Sequence, residues 1–298
     1  MKHAFVVALV WVAASCGRPW PEPPAIDPAQ YQAQYQTWLD EQQATARESS
    51  IIVGIWPLPE GETAFGSDRS LPIVLPASVP ARAGSFCRTG NTVTVTPAPN
   101  VPLLADGRPL TPSSEAPYEM TIGSVRLLLT AIEDGRDFVS ASDDAHPLLQ
   151  DLPGVQTYPV DQRWRVSARF DAFDSPRTMR VADVLGGTME YPAVGRLTFR
   201  IDGQEQQLTA FGFPDSQQFF VLFKDATNAT ATYGYRIVRA PVVAAGEWTV
   251  LDFNQAGNPP CAYSPCTTCP LPPPENRLAV AIAAGEKRFP TGRGFVEQ

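Results

Sequence analysis

The chain has 298 residues, of which 31 are prolines, 5 are cysteines and 2 are histidines, and its formal net charge is −8. This length suffices for one large domain or two modest domains with their own hydrophobic cores. The acidic balance argues against a nucleic-acid-binding protein, which needs a basic face. The scarcity of histidine argues against a multi-histidine metal site, and we expect neither a metal ion nor another cofactor.

Residues 1–15 are typical of a secretory signal peptide, because a charged start is followed by an apolar run. The run is too short for a membrane span, which needs about 20 residues. It ends in Ala13-Ala14-Ser15-Cys16, which is similar to a bacterial lipobox, where the cysteine is lipidated. The sequence therefore predicts an exported lipoprotein anchored through Cys16, at the outer membrane or the periplasmic face. The alternative is a plain signal peptide with an incidental cysteine.

Four cysteines follow Cys16, and an even number in an oxidising compartment favours two disulfides. We expect Cys261 to pair with Cys269 and Cys87 with Cys266, which is one of three possible connectivities. The spacing of the last three also matches a plant-type ferredoxin, although the fourth cysteine there follows the others. A four-cysteine zinc site is possible on ligand count alone.

Residues 16–26 are rich in proline and predict an extended, stiff tether. A helix is predicted over residues 27–49, with Asp27 as N-cap and Pro28 as the first helical residue. One apolar stripe on this helix is expected to pack against the first domain. The stripe consists of Tyr31, Tyr35, Trp38 and Leu39.

Residues 50–142 alternate short candidate strands with turns, as in a β-sandwich. The segments that follow resemble the forkhead-associated family: Gly61–Asp68, Ile73–Pro76, Asp106–Leu110 and Ile122–Val125. Phosphothreonine readers of that family carry an arginine after the strand-two glycine and a Ser-x-x-His motif. The corresponding positions here hold Ser67 and the stretch 81–84, Ala-Arg-Ala-Gly. The resemblance therefore implies the scaffold without its phosphopeptide site.

Residues 151–290 predict a second β unit, a closed or nearly closed barrel with a loop rich in cysteine and proline, before a tail at 291–298. Asp202-Gly203 predicts a hairpin turn within it. A polar loop around residues 140–147 is expected to join the two units. The predicted fold is therefore mainly β, with an N-terminal helix, a forkhead-associated-like sandwich and a second, barrel-like unit.

The segment 219–289 places many polar side chains at strand ends and in loops, where functional groups are usually presented. Its prolines would hold the loop in one conformation at low entropic cost, which suits a preorganised site. The candidate ligand-binding residues are Lys224, Asp225, Thr227, Tyr233, Arg236, Asp252, Asn254, Asn276 and Glu286.

The same segment carries the motifs of a bacterial family known as domain of unknown function 1684. The residues that resemble it are Phe219–Asn228, Thr232–Arg236, Leu251–Cys261 and Cys269–Lys287. The resemblance extends over most of the mature chain. It implies membership of a family of exported proteins and carries over neither an activity nor a catalytic residue.

Three functions are compatible with these residues. In the first, Arg236 and Lys224 would bind the anionic group or the hydroxyl groups of a small polar ligand. In the second, an envelope protein would dock on the proline loops and on an exposed sheet edge. Alternatively, Asp225 and Asp252 would be acid and base of a hydrolase acting on an envelope glycan or a similar substrate. No nucleophile elbow or phosphate loop occurs in the sequence, so binding is favoured over catalysis.

Overall fold

The computed structural model describes residues 20–131, 137–182, 187–228 and 230–290, apart from the side chains of residues 131 and 176. The predicted signal peptide, the lipidation site Cys16 and the tail at 291–298 lie outside the described residues. In the part of the chain that is described, no helix has the length and apolar character needed to cross a membrane.

The one α-helix among the described residues, α1, spans Pro28–Ser50, close to the predicted range 27–49. Asp27 is the N-cap, and its Oδ1 accepts hydrogen bonds from the backbone N–H groups of Ala29 at 2.9 Å and Gln30 at 3.0 Å. These bonds satisfy two of the donors that the first turn of a helix leaves without an intrahelical partner.

The apolar stripe of α1 is buried, as predicted, at Tyr31, Tyr35 and Trp38. The expectation that it packs on the first domain is wrong, because its contacts are with the second unit. The Tyr31 hydroxyl donates to Asp252 at 2.9 Å and the Tyr35 hydroxyl to Thr157 at 2.9 Å. A buried tyrosine needs a partner for its hydroxyl group, and the second unit supplies one for each.

Eleven strands of the first unit form two sheets. The six-stranded sheet has the order β1-β11-β10-β9-β6-β7, and the five-stranded sheet has the order β3-β2-β4-β5-β8. The strands are β1 (Ile52–Leu58), β2 (Gly61–Gly66), β3 (Ile73–Val74), β4 (Gly84–Thr89), β5 (Thr92–Pro97), β6 (Leu104–Ala105), β7 (Arg108–Pro109), β8 (Ser114–Glu115), β9 (Glu119–Ile122), β10 (Val125–Ala131) and β11 (Asp137–Asp143).

The two sheets pack face to face, since one apolar cluster takes side chains from both. Phe65 and Phe86 of the five-stranded sheet join Met120 and Val139 of the six-stranded sheet in this core. Strand β11 runs into the segment that was expected to be a polar linker. Its alternation of Val139 and Ala141 into the core with Ser140 on the other face is the pattern of a half-buried strand.

The second unit is one six-stranded antiparallel sheet with the order β16-β15-β14-β13-β12-β17. It curls into a nearly closed barrel. Between the two end strands, the Thr249 hydroxyl donates to the carbonyl of Pro241 at 2.8 Å. The strands are β12 (Arg165–Ala182), β13 (Thr188–Ile201), β14 (Gln204–Phe211), β15 (Gln218–Phe223), β16 (Arg236–Pro241) and β17 (Trp248–Asp252).

Strands β12 and β13 are much longer than the other strands and carry a bulge between Ala172 and Arg177. Gly195 lies at this bulge, where an added Cβ would be 2.5 Å from the carbonyl oxygen of Asp171, so the close approach requires glycine. The predicted turn between β13 and β14 is confirmed, because Asp202 and Gly203 have φ of 49° and 77°.

After β17 the chain has no further strand among the described residues, and it folds back over the barrel. Leu278, Ile282 and Ala284 from this closing segment (residues 253–290) enter the barrel core beside Phe199 and Phe223. The closing segment therefore seals the barrel, and most of the sequence-predicted site residues lie in it or against it.

Candidate functional site

The centre of the candidate site is an ion pair inside the second unit. Arg236, at the start of β16, donates from Nη2 to Asp225 Oδ2 at 2.6 Å, and neither side chain is exposed. The guanidinium also donates to the carbonyl groups of Ile282 at 2.9 Å and of Ala284. Since both carbonyls belong to the closing segment, Arg236 ties that segment to the barrel.

The other carboxylate oxygen of Asp225, Oδ1, accepts three hydrogen bonds. It accepts from the backbone N–H of Thr227 at 2.8 Å, from the Thr227 hydroxyl at 2.6 Å and from the Ile282 N–H at 3.2 Å. The Thr227 hydroxyl also lies 2.8 Å from that of Thr232. Asp225, Thr227 and Arg236, three of the candidate ligand-binding residues, thus lie in one buried hydrogen-bond network.

Asn276 lies in a second buried hydrogen-bond network, which it forms with β14 and β15. Its Nδ2 donates to the carbonyls of Thr209 at 3.0 Å and Leu222 at 2.7 Å, and its Oδ1 accepts from the Thr209 N–H at 2.7 Å. The side chain therefore completes the hydrogen bonding between β14 and β15, where the two strands diverge. Lys224 is half-buried, and its backbone pairs with Asn276 and Leu278 of the closing segment.

Asp252 joins the barrel to α1. Its Oδ2 accepts from Tyr31, and its Oδ1 accepts from the N–H and Nδ2 groups of Asn254, both at 3.0 Å. Asn254 in turn exchanges two hydrogen bonds with the backbone of Asp161. Burial raises the pKa of Asp252 above its usual range, although the Tyr31 and Asn254 hydrogen bonds oppose that shift.

Glu286 is fully buried in the closing segment. Its carboxylate accepts from the Tyr263 hydroxyl, at 2.7 Å to Oε1, and from the Asn258 N–H, at 2.8 Å to Oε2. Burial raises its pKa to about 7, against the lowering effect of these donors. The ninth candidate, Tyr233, is buried and donates from its hydroxyl to the Cys261 carbonyl at 3.2 Å.

The nine predicted residues thus fall into separate, largely buried networks and form no common open pocket. Among the described residues, the hydrogen bonds of Asp225 and Asp252 share no partner. Asp225 is also enclosed, whereas the two carboxylates of a glycosidase must flank a substrate. Ligand binding by these nine stays a prediction. Their observed contacts are structural.

An open cleft lies elsewhere, between the outer face of the sandwich and the second unit, with a volume of about 750 Å³. This is within the usual range for small-molecule sites, about 300–1,000 Å³. The sandwich contributes Phe138 and Ser140 from β11, whose side chains alternate with those in the sandwich core. Ile52 and Ile55 of β1 extend the same wall.

The opposite wall of the cleft is aromatic and comes from the second unit. Tyr191 of β13 contacts Phe213 edge-on at a centroid distance of 5.3 Å, and Met189 lies on the same strand. Phe213 is 39% exposed. Together, Phe213, Tyr191 and Met189 give this wall a contiguous apolar surface, which is typical of a binding groove.

Polar groups reach the cleft from a third direction. The closing segment contributes Cys266, Thr267 and Thr268. The Thr268 hydroxyl is buried and finds no hydrogen-bond partner among the residues that the structure describes. At the mouth, Arg180 of β12 lies 3.5 Å from Glu190 of β13. The cleft therefore has two mainly apolar walls, and its hydrogen-bonding groups lie on one side.

Comparison with known proteins identifies the second unit. Residues 150–287 match the family described as protein of unknown function (DUF1684). The solution NMR structure of the uncharacterized protein from gene locus rrnAC0354 of Haloarcula marismortui is 33% identical over 47% of this chain and 78% of that chain, with a TM-score of 0.41. The chain belongs to the DUF1684 family. No curated protein matches it.

The DUF1684 match is shorter than the sequence suggested, because it covers the second unit and omits both α1 and the sandwich. All nine predicted site residues lie within it, as does the closing segment as far as Lys287. The cleft combines DUF1684 residues with residues of the sandwich, so one of its walls lies outside the matched region.

Neither of the two predicted disulfides is present in the structure, in which the four thiols are free. Cys87 is exposed on β4 of the sandwich, while Cys266 lies in the second unit at the cleft, so their pairing has no support. Cys261 and Cys269 are close together, since Cys269 Sγ accepts from the Cys261 N–H at 3.3 Å. In the described residues, no cluster of three or more His, Cys, Asp or Glu side chains could hold a metal ion.

The cleft-lining residues carry no motif by which the sequence could single them out. Tyr191 lies between two of the predicted strands and Phe213 at the end of another, and nothing in the sequence indicates which face of β13 would meet another unit. One available signal was the alternation in β11, where Phe138 and Ser140 would lie on the face opposite Val139 and Ala141.

Proposed function

We propose that this DUF1684 protein is an exported, lipid-anchored protein of the cell envelope that binds a small amphipathic molecule in the cleft between its two β units. The single observation that carries the binding role is the cleft itself, with its volume of about 750 Å³ and its aromatic wall. The signal-like residues 1–15 and the lipobox-like Cys16 support the location.

The lining indicates the chemistry of the ligand. Tyr191, Phe213 and Met189 favour a planar or aliphatic body, which these side chains would remove from water. Thr268 offers a buried hydroxyl that a donor or acceptor on the ligand would satisfy. The closing segment forms part of this cleft, so the proposal keeps part of the predicted 219–289 segment in contact with the ligand.

The proposed binding is tested with an amphipathic aromatic probe, anilinonaphthalene sulfonate, on the folded protein. We expect saturable fluorescence enhancement and a rise in melting temperature, because a ligand that binds only the native state stabilises it. Ser140→Trp fills the cleft and should abolish both effects. Ser78→Trp, at an exposed sandwich position outside the cleft lining, is the matched control and should leave both unchanged.

Equal probe binding by the two tryptophan variants would refute the cleft as the site. The location has a separate test in metabolic labelling with a radioactive fatty acid in a bacterial host. Label should enter the wild-type chain and be absent from Cys16→Ser. Release of the unlabelled wild-type protein into the soluble fraction would count against the lipid anchor.

A further inference from the structure

An apolar loop joins β16 to β17 at the surface of the second unit. Residues 241–246 read Pro-Val-Val-Ala-Ala-Gly, without a charged or hydrogen-bonding side chain, and all but Val243 are exposed. The side chain of Val242 is the largest of the exposed apolar side chains in this loop, and Val242 is 45% exposed. Surface loops of soluble proteins are usually polar, so an exposed apolar run of this length needs a reason.

Two tryptophans extend the apolar surface of this loop. Trp248, at the start of β17, is 38% exposed. The Trp20 ring contacts it edge-on at a centroid distance of 4.9 Å, and the Trp20 indole donates to the Ser167 carbonyl at 3.1 Å. We call Trp20, Trp248 and residues 241–246 the tryptophan–loop patch.

The patch lies close to the proposed lipid anchor along the chain. Trp20 is four residues after Cys16, and a fully extended chain spans at most about 3.6 Å per residue, so their Cα atoms are no more than ~14 Å apart. The polar layer of a bilayer leaflet is roughly 5–7 Å thick. A lipid on Cys16 would therefore hold the surface around Trp20 at or near the membrane.

We propose that the tryptophan–loop patch docks on the phospholipid bilayer that holds the lipid of Cys16, an inference that rests on the lipid anchor of the proposed function. Tryptophan partitions to the interface between lipid and water, where its ring is apolar and its N–H is polar. The loop adds apolar area that enters the same layer, as in proteins that combine a lipid with a second membrane contact.

The docking is apolar in character and not electrostatic. Two arginines beside the patch are ion-paired, Arg169 with Asp171 at 2.9 Å and Arg200 with Glu205 at 3.9 Å. The Arg200 guanidinium also lies 4.7 Å from the centroid of the Trp20 ring, and Arg165 donates to the carbonyl of Pro24. The chain as a whole carries a net charge of −8, which disfavours anionic headgroups. Docking should therefore occur on phosphatidylcholine and change little with salt concentration.

The experiment uses the lipidated full-length mature chain reconstituted into phosphatidylcholine vesicles, with mass spectrometry of the same sample to establish the lipid on Cys16. Lipids brominated near the headgroup should quench tryptophan fluorescence. Most of this quenching should disappear in the double variant W20F/W248F. The control W56F, which removes a half-buried tryptophan of the sandwich, should retain it.

The proposal is overturned if the lipidated chain shows no quenching, or if W20F/W248F is quenched like W56F. If the lipidated chain shows no quenching and V242D differs from the wild-type chain in its molecular mass in solution without vesicles, the patch would be assigned to contact with a second copy of the chain. If the mass spectrum shows a bare thiol, the anchor fails, and vesicle sedimentation of that chain at millimolar lipid tests the patch alone. Weaker sedimentation of V242D than of Y118D, an exposed sandwich position, would support it, and equal sedimentation would refute it.

Discussion

Arg236 and Asp225 are joined by a 2.6 Å hydrogen bond from Nη2 to Oδ2 at a place where neither side chain reaches water. A buried charge is costly unless it is paired and its remaining donors or acceptors are satisfied. Here the backbone carbonyls of Ile282 and Ala284 accept hydrogen bonds from the guanidinium, whose Nε finds no partner among the described residues. The Arg236–Asp225 pair thus holds the closing segment in place, and removing the pair should lower the free energy of unfolding.

Arg236→Ala should lower the free energy of unfolding by about 3–5 kcal/mol, because it leaves the Asp225 carboxylate buried and unpaired. Urea denaturation measures this change. The matched control is Arg180→Ala, which removes an exposed arginine from a pair at 3.5 Å and should cost only about 0–1 kcal/mol. Equal losses in the two variants would show that the buried pair does not hold the segment.

The two tyrosines of α1 should differ in their contribution to stability. Tyr31→Phe removes a donor from the buried Asp252 carboxyl and should cost about 1.5–3 kcal/mol. Tyr35→Phe removes a bond to the Thr157 hydroxyl and should cost about 0.5–1.5 kcal/mol. Thermal unfolding of both variants gives the comparison. A larger loss in Tyr35→Phe would contradict the role assigned to Asp252.

Glu286 should make the fold less stable as the pH rises. Its pKa is about 7 in the folded chain against an ordinary value of 4.5, so the folded state binds the proton more tightly. The stabilisation is complete below pH 4.5, falls through the range up to about 7 and amounts to about 3 kcal/mol in all. Urea unfolding between pH 4.5 and pH 8 should show this decline.

Glu286→Gln is the control for the pH dependence of unfolding, since glutamine does not titrate. Its free energy of unfolding should vary less with pH across the same range, even if its absolute stability is lower because the Asn258 N–H loses a carboxylate acceptor. An unchanged slope in this variant would place the titration on another group.

The reactive thiols can be counted on the mature chain purified without reductant. Hydrogen bonding from the Cys269 thiol lowers the pKa of Cys261, which favours the thiolate that disulfide exchange requires. All four thiols are free in the structure, so we expect four reactive thiols after denaturation and three in Cys87→Ser. Two reactive thiols in the wild-type chain would show that Cys261 and Cys269 are oxidised to a disulfide.

Local rules were enough for most of the fold. The cap at Asp27, the stripe at Tyr31 and Tyr35, and the turn at Asp202-Gly203 depend on neighbours a few residues away, and all three are confirmed. The partner of α1 was not predictable in this way. It depends on the match between Tyr31 and Asp252, which are 221 residues apart.

The candidate site shows the same limit. Polar residues clustered near strand ends indicate either a ligand site or a buried network, and sequence spacing does not distinguish the two. Arg236, Asn276 and Glu286 are fully buried because a long segment folds back over them. That enclosure depends on the apolar side chains Ile282 and Leu278, which enter the barrel and carry their polar neighbours inside.

The packing of α1 on the second unit has a consequence for how the chain can be divided. The sandwich lies in sequence between two pieces that contact each other, so topologically it is an insertion into the unit formed by α1 and the barrel. A fragment starting at residue 150 would lack Tyr31 and uncover Asp252. The sandwich would be removed as a unit by deleting residues 51–143 and joining residue 50 to residue 144. A single truncation point cannot separate the two units intact, because it also separates α1 from the barrel.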